Sequence, residues 1–323
     1  ATITPLTYAA TEQTTLTLHG TGLSIADVDA GGATNMVATL SVGEGTLTVV
    51  PGTSGVTVGG SGTSSVTLTG SVAQINALLA SAGGATGTIT YLDNTDTPSA
   101  STVLTLSVND AGNTGGGALT GSDTATINIT AVNDAPTATI TPLTYAATEQ
   151  TTLTLAGSGL SIGDVDAGGA SVTTTLSVVS GTLNVTAGTT GVTVAGSGTA
   201  TVTLTGTLTQ INNLLAGNLG ATADYIINSN TPPASDTLTL SVDDGGNTGG
   251  GALTGSDTAT INITAVNDAP VATITPLTYA ATEQVALTLK NTGLAISDVD
   301  AGAGTLTVTL SVTEGTLTVT AGG

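Results

Sequence analysis

Two stretches carry the chemistry of this chain: AVNDAP at residues 131–136 and the same six letters at 265–270. Each sets an amide beside a carboxylate, Asn133-Asp134 and Asn267-Asp268, just ahead of a proline. A second pattern, DVD, places paired carboxylates at Asp27/Asp29, Asp164/Asp166 and Asp298/Asp300. A glutamate precedes each pair: Glu12, Glu149 and Glu283. These side chains offer only oxygen. Their chemistry is that of a hard divalent cation. Ca²⁺, with its about 6–8 oxygen ligands, suits them better than Mg²⁺, which keeps several waters.

The charge balance sharpens this reading. The chain holds 22 acidic residues against one basic residue, Lys290, for a net charge of −21. Two carboxylates about 4 Å apart repel by roughly 4 kcal/mol at an effective dielectric near 20. No basic side chain is on hand to neutralise a cluster of them, so an ion must. The plainer reading is that Asp and Asn sit in loops to cap turns. That would account for a lone DVD, whereas the joint pattern in a chain almost without cations favours the ion.

The same composition excludes other classes. A nucleic-acid binder needs a basic face, and anionic membrane surfaces are disfavoured for the same reason. No run of about 18 apolar residues exists, so nothing in this segment inserts into a membrane. There is no Cys, so neither a disulfide nor a thiolate metal site forms. One His, His19, and one Lys leave few bases or nucleophiles, and His19 reads as a surface strand residue. Paired acids could serve glycoside hydrolysis, but Trp and Phe are absent and no sugar platform can be built. We therefore expect no enzyme. A calcium-dependent carbohydrate-binding module, with surface glycans as partners, is an alternative weakened by the same lack of aromatics.

Long repeats organise the chain. ATITPLTYAATEQ occurs at 1–13, 138–150 and 272–284, and ALTGSDTATINITAVNDAP at 118–136 and 252–270. The period of about 135 residues exceeds the roughly 20–50 of a solenoid and is long enough for a domain with its own core. Within a copy, segments such as TVLTLSV alternate apolar residues with Thr or Ser, the half-buried strand pattern. Leu104, Leu106 and Val108 would face inward. Seven or more such segments predict Ig-like β-sandwiches in tandem, an all-β fold. One segment departs: in 70–81, Val72, Ile75, Leu78 and Leu79 fall at helical spacing behind Ser71, predicting one short helix per domain. The expected domains are 1–134, 135–268 and a partial third, 269–323. The third carries only the first strands of a sandwich and would expose unpaired edges. Either the array continues, or strands from a neighbouring copy complete it. The chain opens inside repeat sequence, as a piece of something longer or a processed product would.

Position groups the acids. Glu149 follows the opening strand of its copy, and Asp164/Asp166 follow the next. An up-and-down layout would let both share one sandwich end with the incoming linker. The expected first junction is Asn133, Asp134, Glu149, Asp164 and Asp166, with Asp110 joining from the first copy. The expected second junction is Asn267, Asp268, Glu283, Asp298 and Asp300. Glu12, Asp27, Asp29, Asp110 and Asp244 are weaker candidates. Pro136 fixes φ and biases Ala135 towards an extended shape, stiffening the exit. The stretch 109–123 could hold a second ion through Asp110 and Asp123 or form a Gly-rich hairpin loop, and the hairpin is favoured.

AVNDAP, a Glu some fifteen residues on, SIADVDAGG, GTLTV and VTLTGSVAQINALL together resemble the cadherin-like tandem repeats of giant bacterial surface adhesins. The resemblance covers both complete copies and the partial third. VNDAP also resembles the linker motif of animal cadherins, whose acidic and amide side chains bind interdomain calcium. It implies cadherin-like β-sandwiches and calcium at the candidate residues above. It also implies an extracellular, bacterial cell-surface location and an adhesive stalk or fibre, whose partners are further repeats of the same polypeptide or neighbouring copies. A secreted filament assembled by strand complementation between chains is the alternative.

Overall fold

A computed structural model describes residues 1–30, 36–112, 116–247 and 249–320. The strands follow the Thr/aliphatic alternation. They are β1 (Thr2–Ile3), β2 (Thr7–Thr11), β3 (Leu16–Thr17), β4 (Leu23–Ser24), β5 (Met36–Val42), β6 (Thr46–Val50), β7 (Thr57–Gly59) and β8 (Ser65–Gly70). Helix α1 (Val72–Leu79) follows, then β9 (Thr88–Leu92), β10 (Ser101–Asn109) and β11 (Thr120–Thr130). The second copy repeats the series as β12 (Thr137–Ile140), β13 (Thr144–Thr148), β14 (Leu153–Thr154), β15 (Leu160–Gly163), β16 (Ser171–Val178), β17 (Thr182–Thr186), β18 (Thr193–Ala195) and β19 (Thr201–Thr207). It closes with α2 (Leu208–Leu215), β20 (Thr222–Ile226), β21 (Ser235–Asp243) and β22 (Thr254–Thr264).

Each of the two complete copies is a β-sandwich. In the first, a six-stranded sheet of order β2-β11-β10-β5-β8-β7 faces a three-stranded sheet, β3-β9-β6, with β1-β4 as a small third pair. The second has the same order, β13-β22-β21-β16-β19-β18 against β14-β20-β17, with β12-β15. The pairs are antiparallel except β2 with β11 and β13 with β22. The alternation sets the register. Leu104, Leu106 and Val108 of β10 lie opposite Val42, Leu40 and Ala38 of β5, and all are buried. Thr105 and Ser107 between them turn outward.

The helix forms where helical spacing interrupts the strand pattern. Ser71 caps it, accepting from the Gln74 N–H while the Gln74 side chain accepts from the Ser71 N–H, a reciprocal capping box. Ile75, Leu78 and Leu79 are buried on its inner side. The Asn76 amide pins the outer side to both backbone groups of Ile25. In α2, Thr207, Gln210 and Asn212 do the same work.

Among the described residues the two cores share none: one runs from Ile3 to Ile129, the other from Ile140 to Ile261. Past Thr264, among the described residues, only β23 (Val271–Ile274) and β24 (Leu294–Ser297) form, paired with each other. Residues 305–312 repeat the apolar alternation of β16 but stay exposed and outside any strand. A strand face needs a sheet across from it, and this segment has none among the described residues.

Separate cores should melt separately. Leu78→Ala deletes a fully buried side chain and should destabilise the first sandwich by about 2–5 kcal/mol. In differential scanning calorimetry it should move one transition, and Leu214→Ala the other. Movement of both transitions by either change would mean that the cores unfold as one.

Candidate metal centre

The first junction is assembled by strand direction. β2 and β11 are parallel neighbours with Thr11 opposite Thr130, so Glu12 and the linker after β11 emerge at the same end. The Glu12 N–H donates to the Thr130 carbonyl (2.9 Å), and the Val132 N–H donates to Glu12 Oε2 (2.8 Å). Asp96 arrives from the loop between β9 and β10. Carboxylate oxygens of Glu12, Asp96 and Asp134 lie within 4.8 Å of one another, and no other such trio occurs among the described residues.

The second sandwich closes the site from the opposite side. Thr137 of β12 pairs with Gly163 of β15, so the linker enters beside the loop that follows β15. There the Asp134 N–H donates to Asp166 Oδ2 (3.0 Å), while the Asp166 and Ala167 N–H groups donate to Asp164 Oδ1 (3.1 Å each). The β21–β22 loop adds a clamp. Asn133 Nδ2 donates to Asp244 Oδ2 (2.6 Å) and to the Gly251 carbonyl (3.1 Å). Glycine is required in this loop and at the start of β22. Gly249 sits at φ +61°, where a Cβ would lie 2.2 Å from the Ala131 carbonyl oxygen, and a Cβ on Gly255 would lie 2.0 Å from that of Pro136.

Four oxygens inside this boundary are buried with no hydrogen-bond donor: Glu12 Oε1, Asn133 Oδ1, Asp134 Oδ2 and Asp164 Oδ2. Glu12 is only 1% exposed and Asn133 7%. Buried acceptors without donors are costly, and all four come from residue types that ligate hard cations. With Asp96 and Asp166 they supply six oxygen-bearing side chains from two sandwiches and one linker, a set that fits a divalent cation such as Ca²⁺. The acidity of the site carries the same strain. Burial, and then the charges of Asp134, Asp96 and Asp93, hold the Glu12 carboxyl above its ordinary range despite the Val132 hydrogen bond. Burial and the hydrogen bond with Asp166 raise Asp164 likewise. For Asp244, burial pushes upward, but the N–H groups of Gly246 and Leu253 and the Asn133 amide outweigh it and lower the carboxyl.

The structure redraws the grouping expected from sequence. Asn133, Asp134, Asp164 and Asp166 come together. Glu149 does not join them: it follows β13 to the other end of its sandwich, where Oε2 accepts from the Val266 N–H (2.9 Å). Its place is taken by Glu12, the equivalent residue of the preceding copy. Asp110 is also misplaced by the sequence reading. It shares the first sandwich's opposite end with Asp27 and Asp29, where the Asp29 N–H donates to Asp27 Oδ1 (3.1 Å) and Asp110 adds to the field on Asp29. The second copy's Asp244 reaches the first junction instead. Asp110 accepts from the Gly112 and Leu119 N–H groups, and Asp123 from those of Ile3 and Thr124. Both hold local structure, as the hairpin reading expects, although residues 113–115 of that loop lie outside the described residues. Asp96 is the residue that sequence reasoning missed. Strand parity would have found it, since the loop after β9 opens at the same end as Glu12.

At the second junction the Asp268 N–H donates to Asp300 Oδ2 (2.8 Å), and Asp298 Oδ1 accepts from Asp300 and Ala301. Asp268 Oδ2 is buried without a donor. The hydrogen bond from the Asp268 N–H is the main influence holding the Asp300 carboxyl below its ordinary range. Asn267 is exposed, its amide turned onto the Asp268 carbonyl (3.1 Å). Glu283 is exposed and forms no close carboxylate trio with Asp268 and Asp300.

No protein-family model and no curated protein matches the sequence. Solved structures do resemble the chain. Human CDH23 EC21-23 is 16% identical, over 90% of this chain and 77% of that one, at a TM-score of 0.34. The protocadherin GammaB4 extracellular domain is 17% identical, over 83% of this chain and 33% of that one, at 0.32. Human protocadherin-24 EC1-2 is 14% identical, over 81% of this chain and 97% of that one, at 0.32. This chain thus spans a third of the protocadherin GammaB4 chain (33%) and about half of the protocadherin gammaB7 EC3-6 chain (52%). At such identities and scores it is the strand order and register, not the overlay, that define the fold.

Raised carboxyls give a pH signature. In ion-free protein, Glu12 and Asp164 bind protons more tightly folded than unfolded. Stability should therefore fall as pH climbs out of the ordinary carboxylate range and through their raised one. Asp244, lowered, acts in the opposite sense below that window. A divalent cation binds only the ionised form, so saturating Ca²⁺ should reverse the slope. Melting curves against pH in EGTA and in calcium check this, and parallel curves would count against a cation at these oxygens.

Proposed function

We propose that this chain is part of an extracellular, cadherin-like array on a bacterial cell surface, whose sandwiches (1–134, 135–268 and the partial 269–323) are held at fixed angles by calcium in the linkers. Its work is mechanical: to extend, and to hold an adhesive or network-forming part at a distance. At the first junction Glu12, Asp96, Asn133, Asp134, Asp164 and Asp166 would hold the ion, with Asp244 positioning Asn133. At the second, Asp268, Asp298 and Asp300 would do so with Glu149, beside Asn267. Glu283, Asp27, Asp29 and Asp110 would serve the corresponding ends of neighbouring repeats. The bound ion supplies a positive charge that offsets the carboxylate repulsion and joins three chain segments at one point.

The observation that carries this reading is the convergence of donorless buried oxygens from both sandwiches and the linker on one boundary. Without an ion such a boundary should open, because each carboxylate regains water by swinging out. Each sandwich keeps its own core in either case. Stability then divides approximately into sandwich terms and junction terms.

Chelation should accordingly loosen the junctions while leaving the sandwiches folded. Small-angle scattering should show a wider spread of interdomain arrangements in EGTA than in calcium, with the far-ultraviolet circular dichroism unchanged. Asp164→Asn with Asp166→Asn should reproduce that loosening at the first junction even in calcium. A scattering profile indifferent to calcium would refute the reading.

A further inference from the structure

The two junctions differ at one place where charge matters. Asp96 and Asn230 each lie five residues beyond the fully buried tyrosine of their sandwich, Tyr91 and Tyr225. They occupy the same site. Gln13 Nε2 donates to Asp96 Oδ1 (3.5 Å) in the first copy, and Gln150 Nε2 donates to Asn230 Oδ1 (3.5 Å) in the second. Much of the remaining framework is kept. Glu12 and Glu149 are equally buried, at 1% exposure. Each accepts a linker N–H, from Val132 or Val266. Asp134 and Asp268 each donate to the second acid of a DVD pair. The exchange therefore replaces a carboxylate within 4.8 Å of Glu12 and Asp134 by a neutral amide.

The second glutamine changes the balance further. Gln150 Nε2 also reaches Glu149 Oε1 (3.5 Å), whereas Glu12 Oε1 is buried with no donor. The first junction thus holds an extra negative charge and a glutamate oxygen that protein donors leave bare. The second has lost the charge and gained a partner for the oxygen. Charge count among the ligands is a main determinant of calcium affinity.

From this exchange we infer that Asp96 makes the first junction the tighter cation site, that Asn230 leaves the second weaker, and that the array fills and stiffens in sequence as calcium rises. This inference rests on the calcium reading above. A neighbouring region crossing its working calcium range would then stiffen stepwise, one linker holding its angle while the next still swings.

Isothermal titration of the whole chain with CaCl₂ tests it, read together with scattering. The unmodified chain should show two classes of site, and Asp164→Asn with Asp166→Asn should abolish the tighter one. Asp96→Asn should weaken the tighter class by about tenfold or more, and Asn230→Asp should strengthen the weaker class by a similar factor. Asp224→Asn removes the same charge from β20, away from both linkers, and should leave both classes in place. Asp96 and Asn230 are exposed, so folding is expected to survive, and circular dichroism confirms it for each variant. Calcium binding that ignores Asp96→Asn and Asn230→Asp would overturn the inference and leave the calcium reading standing. So would loss of the weaker class in the Asp164/Asp166 variant. No calcium binding by the unmodified chain would overturn both.

Discussion

The structure turns on an excess of acceptors. At the boundary between the two sandwiches, carboxylate and amide oxygens are packed out of water without enough donors to meet them. Backbone N–H groups are used as far as they reach: Val132 on Glu12, Asp134 on Asp166, Asp166 and Ala167 on Asp164. What remains is a remainder of oxygen that no Lys or Arg can neutralise, because the one basic side chain, Lys290, belongs to the third copy. Elsewhere acids that have no such excess are fully employed. Asp123 and Asp257 fasten strands β1 and β12 by accepting from Ile3 and Ile140. The contrast separates acids that hold the fold from acids that need something the fold does not contain.

Much of the fold was legible in the residues. Period-two alternation in β10 gave the inner face Leu104, Leu106 and Val108, and the break to helical spacing gave α1 with its Ser71 cap, because both depend on local geometry. The site was legible only in part. Asn133, Asp134, Asp164 and Asp166 lie close along the chain, within the linker and the loop after the second sandwich's next strand pair, so local reasoning places them together. Glu149 was misassigned because its end of the sandwich depends on how many times the chain has crossed it, and the short strands β12 to β15 hide that count. Asp96 was missed for a different reason. The copies differ there, Asp96 against Asn230, and a comparison that looks for recurring acids passes over one that does not recur.

Divergence between the copies also shows what the core requires. Tyr91 donates its hydroxyl to Asp93 Oδ2 (3.2 Å), and Tyr225 donates to Asp236 Oδ2 (3.1 Å). The partners are not equivalent. The second copy has Ile227 where the first has Asp93, and the first has Thr102 where the second has Asp236. The acid has moved from one strand end to another while the tyrosine kept its acceptor. With neither acid the buried hydroxyl would lose its partner, and with both, two carboxylates would crowd one pocket. Burial, joined by the nearby acid, pushes both phenols far above their ordinary range, so they remain donors. The exchange leaves sheet order and core unchanged, which is why the copies can drift in their loops and still fold alike.

The amide-acid order of the linker has a physical account in the same terms. Asn133 faces Asp244, and its amide nitrogen donates both to that carboxylate (2.6 Å) and to the Gly251 carbonyl (3.1 Å). An aspartate at 133 would set two like charges at hydrogen-bond distance with no donor between them. The amide instead spends its nitrogen on the loop of the second sandwich and turns its oxygen into the boundary, where it adds ligand capacity without adding charge. Asp134 can be a carboxylate because its neighbour Asp166 already receives the Asp134 backbone N–H, which leaves the acid side chain to the centre. Gly249 in the loop and Gly255 at the start of β22 let this hairpin close on the linker at distances a side chain would forbid. Asn before Asp is thus the order that satisfies the clamp on one side and leaves the negative charge on the other.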